Sequence, residues 1–134
     1  ERSPTDLLYL ERLAVMELEL RAALEKVRGE TSTAVALARE ASELEGRMPY
    51  SFGPPFVDFP SAEFLGGLLL ESGQFVEAVT AFELQLERSR QKSRALQGLA
   101  QAQAGSGKET DARYTRERLA RIWAGADESI KLAD

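Results

Sequence analysis

The chain contains no cysteine, no histidine and no asparagine. Without cysteine there is no disulfide, no thiol nucleophile and no thiolate metal ligand. Without histidine there is no Ser-His or Cys-His pair and no usual zinc site. No nucleophile–base pair can be assembled from the remaining residues, so the sequence predicts a non-enzymatic chain without cofactor or metal. The absence of cysteine fits either side of a membrane and leaves the compartment open. Long hydrophobic runs are missing too. The longest, Phe64 to Leu70 with its glycines, is far short of the roughly 20 residues that cross a bilayer. No signal sequence is visible. The chain opens at Glu1, not at a methionine, and reads as a fragment or processed product. A signal in the missing part would make it periplasmic or extracellular, and otherwise it is cytoplasmic.

Net charge is −5, which argues against general affinity for nucleic acid. The charge is unevenly spread. Residues 88–121 hold nine basic and three acidic side chains, a net +6, so the rest of the chain carries −11. Nucleic-acid modules interleave aromatic rings with positive charge, and here only Tyr114 and Trp123 lie nearby. The basic residues therefore read as solvated helix faces, with binding of an acidic partner, or self-association between acidic and basic halves, as further readings.

What is present is a 34-residue echo. Leu65, Gly73 and Ala78 return as Leu99, Gly107 and Ala112, a period typical of stacked helical pairs. The 134 residues, 43% of them apolar, suffice for one domain with a core. Ser3-Pro4 opens a first helix to about Arg28. Its apolar residues fall on two faces, Leu13, Met16, Leu20 and Leu24 on one, Leu8, Val15, Leu18 and Ala22 on the other, which predicts contact on two sides. A second helix, capped by Thr31 or Ser32, reaches about Arg47. Its inner stripe is Ala34, Leu37, Ala38, Ala41 and Leu44. Residues 48–59, bracketed by Pro49 and Pro60 and containing Pro54 and Pro55, cannot be helical. Further helices are predicted from Pro60 to about Ser72, Phe75 to Arg90, Ser93 to Ala104 and Glu109 to Trp123. Ile122 or Trp123 of the last should point inward, and Asp127 should cap a short terminal helix over 127–133.

The stretches Leu65-Gly66, Gly73-Gln74-Phe75, Ala78 and Phe82, echoed by Leu99-Ala100, Gly107 and Ala112, resemble tetratricopeptide repeats. Arg116 departs from the pattern where Phe82 would recur, as in a degenerate terminal repeat. Gly29, Ala34 and Ala38 resemble a third copy, displaced by ten extra residues that fall in the 48–59 segment. The resemblance implies an all-α, right-handed superhelix of antiparallel helical hairpins, about three repeats plus the terminal helix. The hairpins would cover about 4–47, 60–91 and 93–124. The proline-aromatic segment followed by FLGGLLLESGQFVEAVTAFE is also similar to C-terminal regions of bacterial proteins with tetratricopeptide-like ends, which implies a bacterial source and a longer parent chain.

In that family the first helix of each pair builds a concave face that holds a peptide or helix of a partner protein. The register puts Met16, Glu19, Ala23 and Lys26 there from the first pair. Glu63, Gly67 and Leu70 come from the second, and Arg94, Gln97, Gln101 and Ala104 from the third. The small residues leave room for a ligand or simply allow close helix packing. The lysine-asparagine set with which chaperone-binding members clamp a C-terminal carboxylate is absent, since the chain has no asparagine. The 48–59 segment is the other candidate. Tyr50, Phe52, Phe56 and Phe59, with Phe64 just beyond, are half of the ten aromatics. They either plug the gap between the first two pairs or form a rigid recognition flap. A structural role as a C-terminal cap or self-association module of a longer repeat protein, or as an accessory domain of a larger secreted enzyme, is the alternative to a partner-binding scaffold.

Overall fold

The computed structural model describes residues 3–48, 61–89 and 92–133, with no account of the side chains of 5 and 127–133. The described residues form six helices and no strand: α1 (Pro4–Val27), α2 (Thr31–Gly46), α3 (Ser61–Glu71), α4 (Phe75–Arg88), α5 (Ser93–Gly105) and α6 (Glu109–Ala133). Ser3 caps α1 in a reciprocal box. Its hydroxyl accepts from the Asp6 amide at 3.2 Å and its own amide donates to the Asp6 carboxylate at 3.1 Å. The α2 start differs from expectation. Glu30 occupies the cap position without a side-chain bond, and Thr31 is already helical.

Three turns repeat one geometry. Gly29, Gly73 and Gly107 adopt φ of 84°, 76° and 83°, a left-handed conformation that a side chain strains. Each glycine amide bonds three residues back, to Lys26, Leu70 and Ala104. The next amide bonds five back, to Glu25, Leu69 and Gln103, at 2.8–2.9 Å. These bonds satisfy carbonyls that a helix end leaves free. The residue after each glycine also accepts from Ala34, Ala78 or Ala112 to start the next helix.

Consecutive helices pack on one another throughout, and α3 also touches α5. The core gathers Ala22, Ala34, Ala38, Leu65, Leu68, Leu69, Ala78, Phe82, Leu99 and Ala102. A smaller cluster of Val15, Leu18 and Ala41 is closed by Leu37, Leu44 and Met48. Alanines let α1, α2, α4 and α5 approach closely. The Phe82 ring lies against Gly66 of α3 and Gly98 of α5, and the Phe75 ring against Gly105. Side chains also bridge α2 and α4: Arg39 pairs with Glu77 at 2.8 Å, and Arg88 donates to the Ser42 carbonyl at 3.1 Å.

Three expectations are corrected. The terminal helix is not separate, because α6 runs unbroken to Ala133. Ile122 and Trp123 do not point into a core and are 42% and 52% exposed. At 25 residues α6 outruns the 13-residue α5, so its inner stripe loses its cover beyond Leu119. Among the described residues the first helix also packs on one side only. Val15, Leu18 and Ala22 are buried, while Leu13, Met16, Leu20 and Leu24 stay exposed.

Candidate functional site

Helices α1, α3 and α5 enclose a cleft of about 210 Å³. Lys26 comes from α1, Arg94 from α5, and Glu63, Phe64, Gly67, Leu68 and Glu71 from α3. The helical spacing of 63, 64, 67, 68 and 71 makes α3 the floor. Gly67 is its open point, since a Cβ there would meet nothing within 4 Å.

Charge lines the cleft in both signs. Lys26 Nζ bonds Glu71 Oε1 at 2.9 Å, and both side chains are about half exposed. Such a pair is worth about 0–1 kcal/mol, so a ligand can exchange with it at small cost. Glu63 sits deeper. Burial raises its carboxyl pKa, and the Arg94 charge opposes that rise. The cleft thus offers a half-desolvated carboxylate, two cations and an apolar wall of Phe64 and Leu68.

Four of the residues predicted from the repeat register therefore meet in one place: Lys26, Glu63, Gly67 and Arg94. Gln97 and Gln101 continue the Arg94 face of α5 as an exposed strip. Ala23, Leu70 and Ala104 are half-buried beside the core. Met16 is 51% exposed on the uncovered side of α1. Tyr50, Phe52, Phe56 and Phe59 lie outside the described residues.

Glu19, expected on the partner face, is a correction. It is only 9% exposed and accepts a 2.6 Å bond from the Ser61 hydroxyl. The Ser61 amide, at the start of α3, donates to Glu45 Oε2 at 2.9 Å. Two carboxylates from α1 and α2 thus hold the N-terminus of α3, where free amides favour negative charge. Burial, followed by the Glu45 charge, raises the Glu19 pKa to about 7, and the Ser61 bond opposes this. Nothing in the pattern around Glu19 distinguishes it from a surface acid. Its partner is 42 residues away. Phe64, just beyond the proline-aromatic segment, packs against the core and forms part of the cleft wall.

A second, wider recess of about 470 Å³ lies between α4, α5 and α6. Although it falls in the basic half, Glu83, Glu87 and Asp111 line it against Arg118, which does not make an anion groove. Inside it Thr115 donates to Gln103 Oε1 at 2.7 Å. Among the described residues no group of His, Cys, Asp or Glu is placed to hold a metal ion, and no helix is long and apolar enough to cross a membrane. No protein-family model, curated protein or solved structure matches the chain.

Proposed function

We propose that this chain is a non-enzymatic, tetratricopeptide-like scaffold that holds a segment of a partner protein in the α1–α3–α5 cleft. The observation that carries the reading is the convergence of Lys26, Glu63, Gly67 and Arg94, from three helices, around a floor that lacks a side chain. The threefold turn at Gly29, Gly73 and Gly107 supports the repeat architecture. The chemistry of the cleft favours a peptide with one apolar side chain seated over Gly67 beside Phe64 and Leu68. Charged neighbours on that peptide would meet Arg94 and Lys26 on one side and Glu71 on the other. The cleft is small against a standard interface of about 800 Å² per partner, so the Arg94–Gln97–Gln101 strip extends the contact along α5.

A displayed peptide library selected against the folded chain tests this. Selected peptides should lose binding to Gly67→Leu, which fills the cleft, and to Arg94→Glu. They should keep it with Tyr114→Ala on α6. Peptides indifferent to both cleft changes, or no selectable peptide, would refute the assignment.

A further inference from the structure

Of the charged side chains that line the α1–α3–α5 cleft, Glu63 is the one that is half-buried without a partner of its own. Lys26 and Glu71 hold each other at 2.9 Å. Arg94 is exposed, so water keeps its charge hydrated. Among the described residues Glu63 has no hydrogen bond and no ion pair. What acts on it is burial, which raises its carboxyl pKa, and the Arg94 charge, which opposes the rise. The first turn of α3 favours an acid, but an acid placed there for that reason alone stays in water. A carboxylate that gives up water without gaining a partner is costly. A ligand cation brought to it offsets that cost.

Four residues on, one turn away on the same face of α3, Gly67 leaves the floor open. A Cβ there would meet nothing within 4 Å, and Phe64 and Leu68 wall the opening. The cleft therefore offers a counter-charge and an apolar seat about 6 Å apart along the helix. Its volume of about 210 Å³ is below the roughly 300–1,000 Å³ of sites that enclose a whole drug-sized ligand. Such a space receives the end of a chain, not a length of one.

We infer that the cleft binds the free amino terminus of a partner polypeptide whose first residue is apolar, its α-ammonium against Glu63 and its side chain over Gly67. This rests on the peptide-binding reading of the cleft and adds which end of the peptide enters and which residue recognises it. The ammonium and the side chain of a first residue leave the same Cα, so a site one helical turn long meets both. A lysine carries its ammonium on a four-carbon stem, and a second residue would be needed to fill the seat over Gly67. A carboxyl terminus would set like charge against Glu63. Beyond its first residue the partner runs out past Arg94 along the Gln97–Gln101 strip, where an acid on it gains an arginine.

Short peptides built on a support through their carboxyl ends test this, with every residue type at the first position and mixed residues after it. One set keeps the free amino terminus and a matched set is acetylated. Free peptides that begin with Leu, Ile, Met or Phe should bind the labelled chain, and Gly67→Leu should remove that binding. Acetylation should weaken it about tenfold or more, the contribution of a hydrogen bond to a charged group. Glu63→Gln keeps the shape of the side chain and removes its charge, so it should bind both sets equally and weakly while its circular dichroism matches the wild type. Acetylation alters the peptide alone, and that comparison stands whatever the substitution does to the fold. Peptides lost with Gly67→Leu yet indifferent to acetylation would overturn the inference and leave the cleft a peptide site. A preference for free ends that persists in folded Glu63→Gln would overturn it as well. No Gly67-dependent peptide in either set would overturn both readings.

Discussion

The ring of Phe82 on α4 fills the space that a side chain at Gly66 on α3 would need: a Cβ there would sit 2.7 Å from Phe82 Cζ. The 34-residue echo repeats the pair in altered form. Position 100 holds Ala, and position 116 holds Arg. Where the ring is lost, the glycine is no longer required. The expected result is that Gly66→Ala lowers stability by about 1–3 kcal/mol, as overpacking does, although alanine is the better helix former. Phe82→Ala should cost about 3–5 kcal/mol. Urea unfolding of Gly66→Ala/Phe82→Leu should show less than the sum of its two single changes, because the smaller side chain makes room for the new methyl. Strict additivity would mean the two sites do not share this space.

The buried carboxyl of Glu19 sets a pH dependence. Its folded pKa of about 7 lies above the ordinary 4.5, so the folded state binds the extra proton between those values. Stability is then highest at the acidic end of that window and falls as pH rises through 7, by at most about 1.4 kcal/mol per unit. Glu19→Gln keeps an acceptor for Ser61 and removes the titration. Chemical unfolding at pH 5 and pH 8 should show the wild type weaker at pH 8 by on the order of 2 kcal/mol, and the glutamine variant nearly level. An equal drop in both proteins would place the titrating group elsewhere.

These two sites mark the limits of what the sequence discloses. The repeated glycines are legible because a left-handed turn admits few alternatives, and all three take it. The alanine-rich stripe of α2 is legible because only one of its faces is apolar. In α1 both faces are apolar, and periodicity cannot say which one meets α2. Ile122 and Trp123 share the stripe of Ala112 and Leu119, yet burial there depends on the length of α5, a property of another segment. Glu19 has helical neighbours on every side in the sequence, and only the arrival of α3 removes it from water. The cleft is half legible: repeat register yields Lys26, Glu63, Gly67 and Arg94, whereas Phe64, Leu68 and Glu71 join it through the packing of α3.

Gln85 offers a stabilising change. It is 4% exposed on α4, and its side-chain carbonyl oxygen has no hydrogen-bond partner among the described residues. A buried polar group without a partner costs about 1–3 kcal/mol. Gln85→Met keeps the length of the side chain and deletes the unpaired oxygen, so thermal unfolding should move upward by several degrees, roughly 4 °C per kcal/mol in a domain of this size. A lowered melting temperature would show that the glutamine has a role that its burial conceals.

Gly67, the neighbour of Gly66, should respond in the opposite sense. It lies within α3, its position is open to the cleft, and a Cβ there meets no atom within 4 Å. In a helix interior, alanine is favoured over glycine by about 1 kcal/mol. Gly67→Ala should therefore raise the unfolding free energy by about that amount, while Gly66→Ala one position earlier lowers it. The same methyl narrows the cleft floor, so peptides selected against the wild type should bind the more stable variant less well. Stability and binding moving in opposite directions at one residue is what a floor kept bare for a ligand produces. If Gly67→Ala stabilises the fold and leaves every selected peptide unaffected, the glycine is merely tolerated, and recognition belongs to the Arg94–Gln97–Gln101 strip.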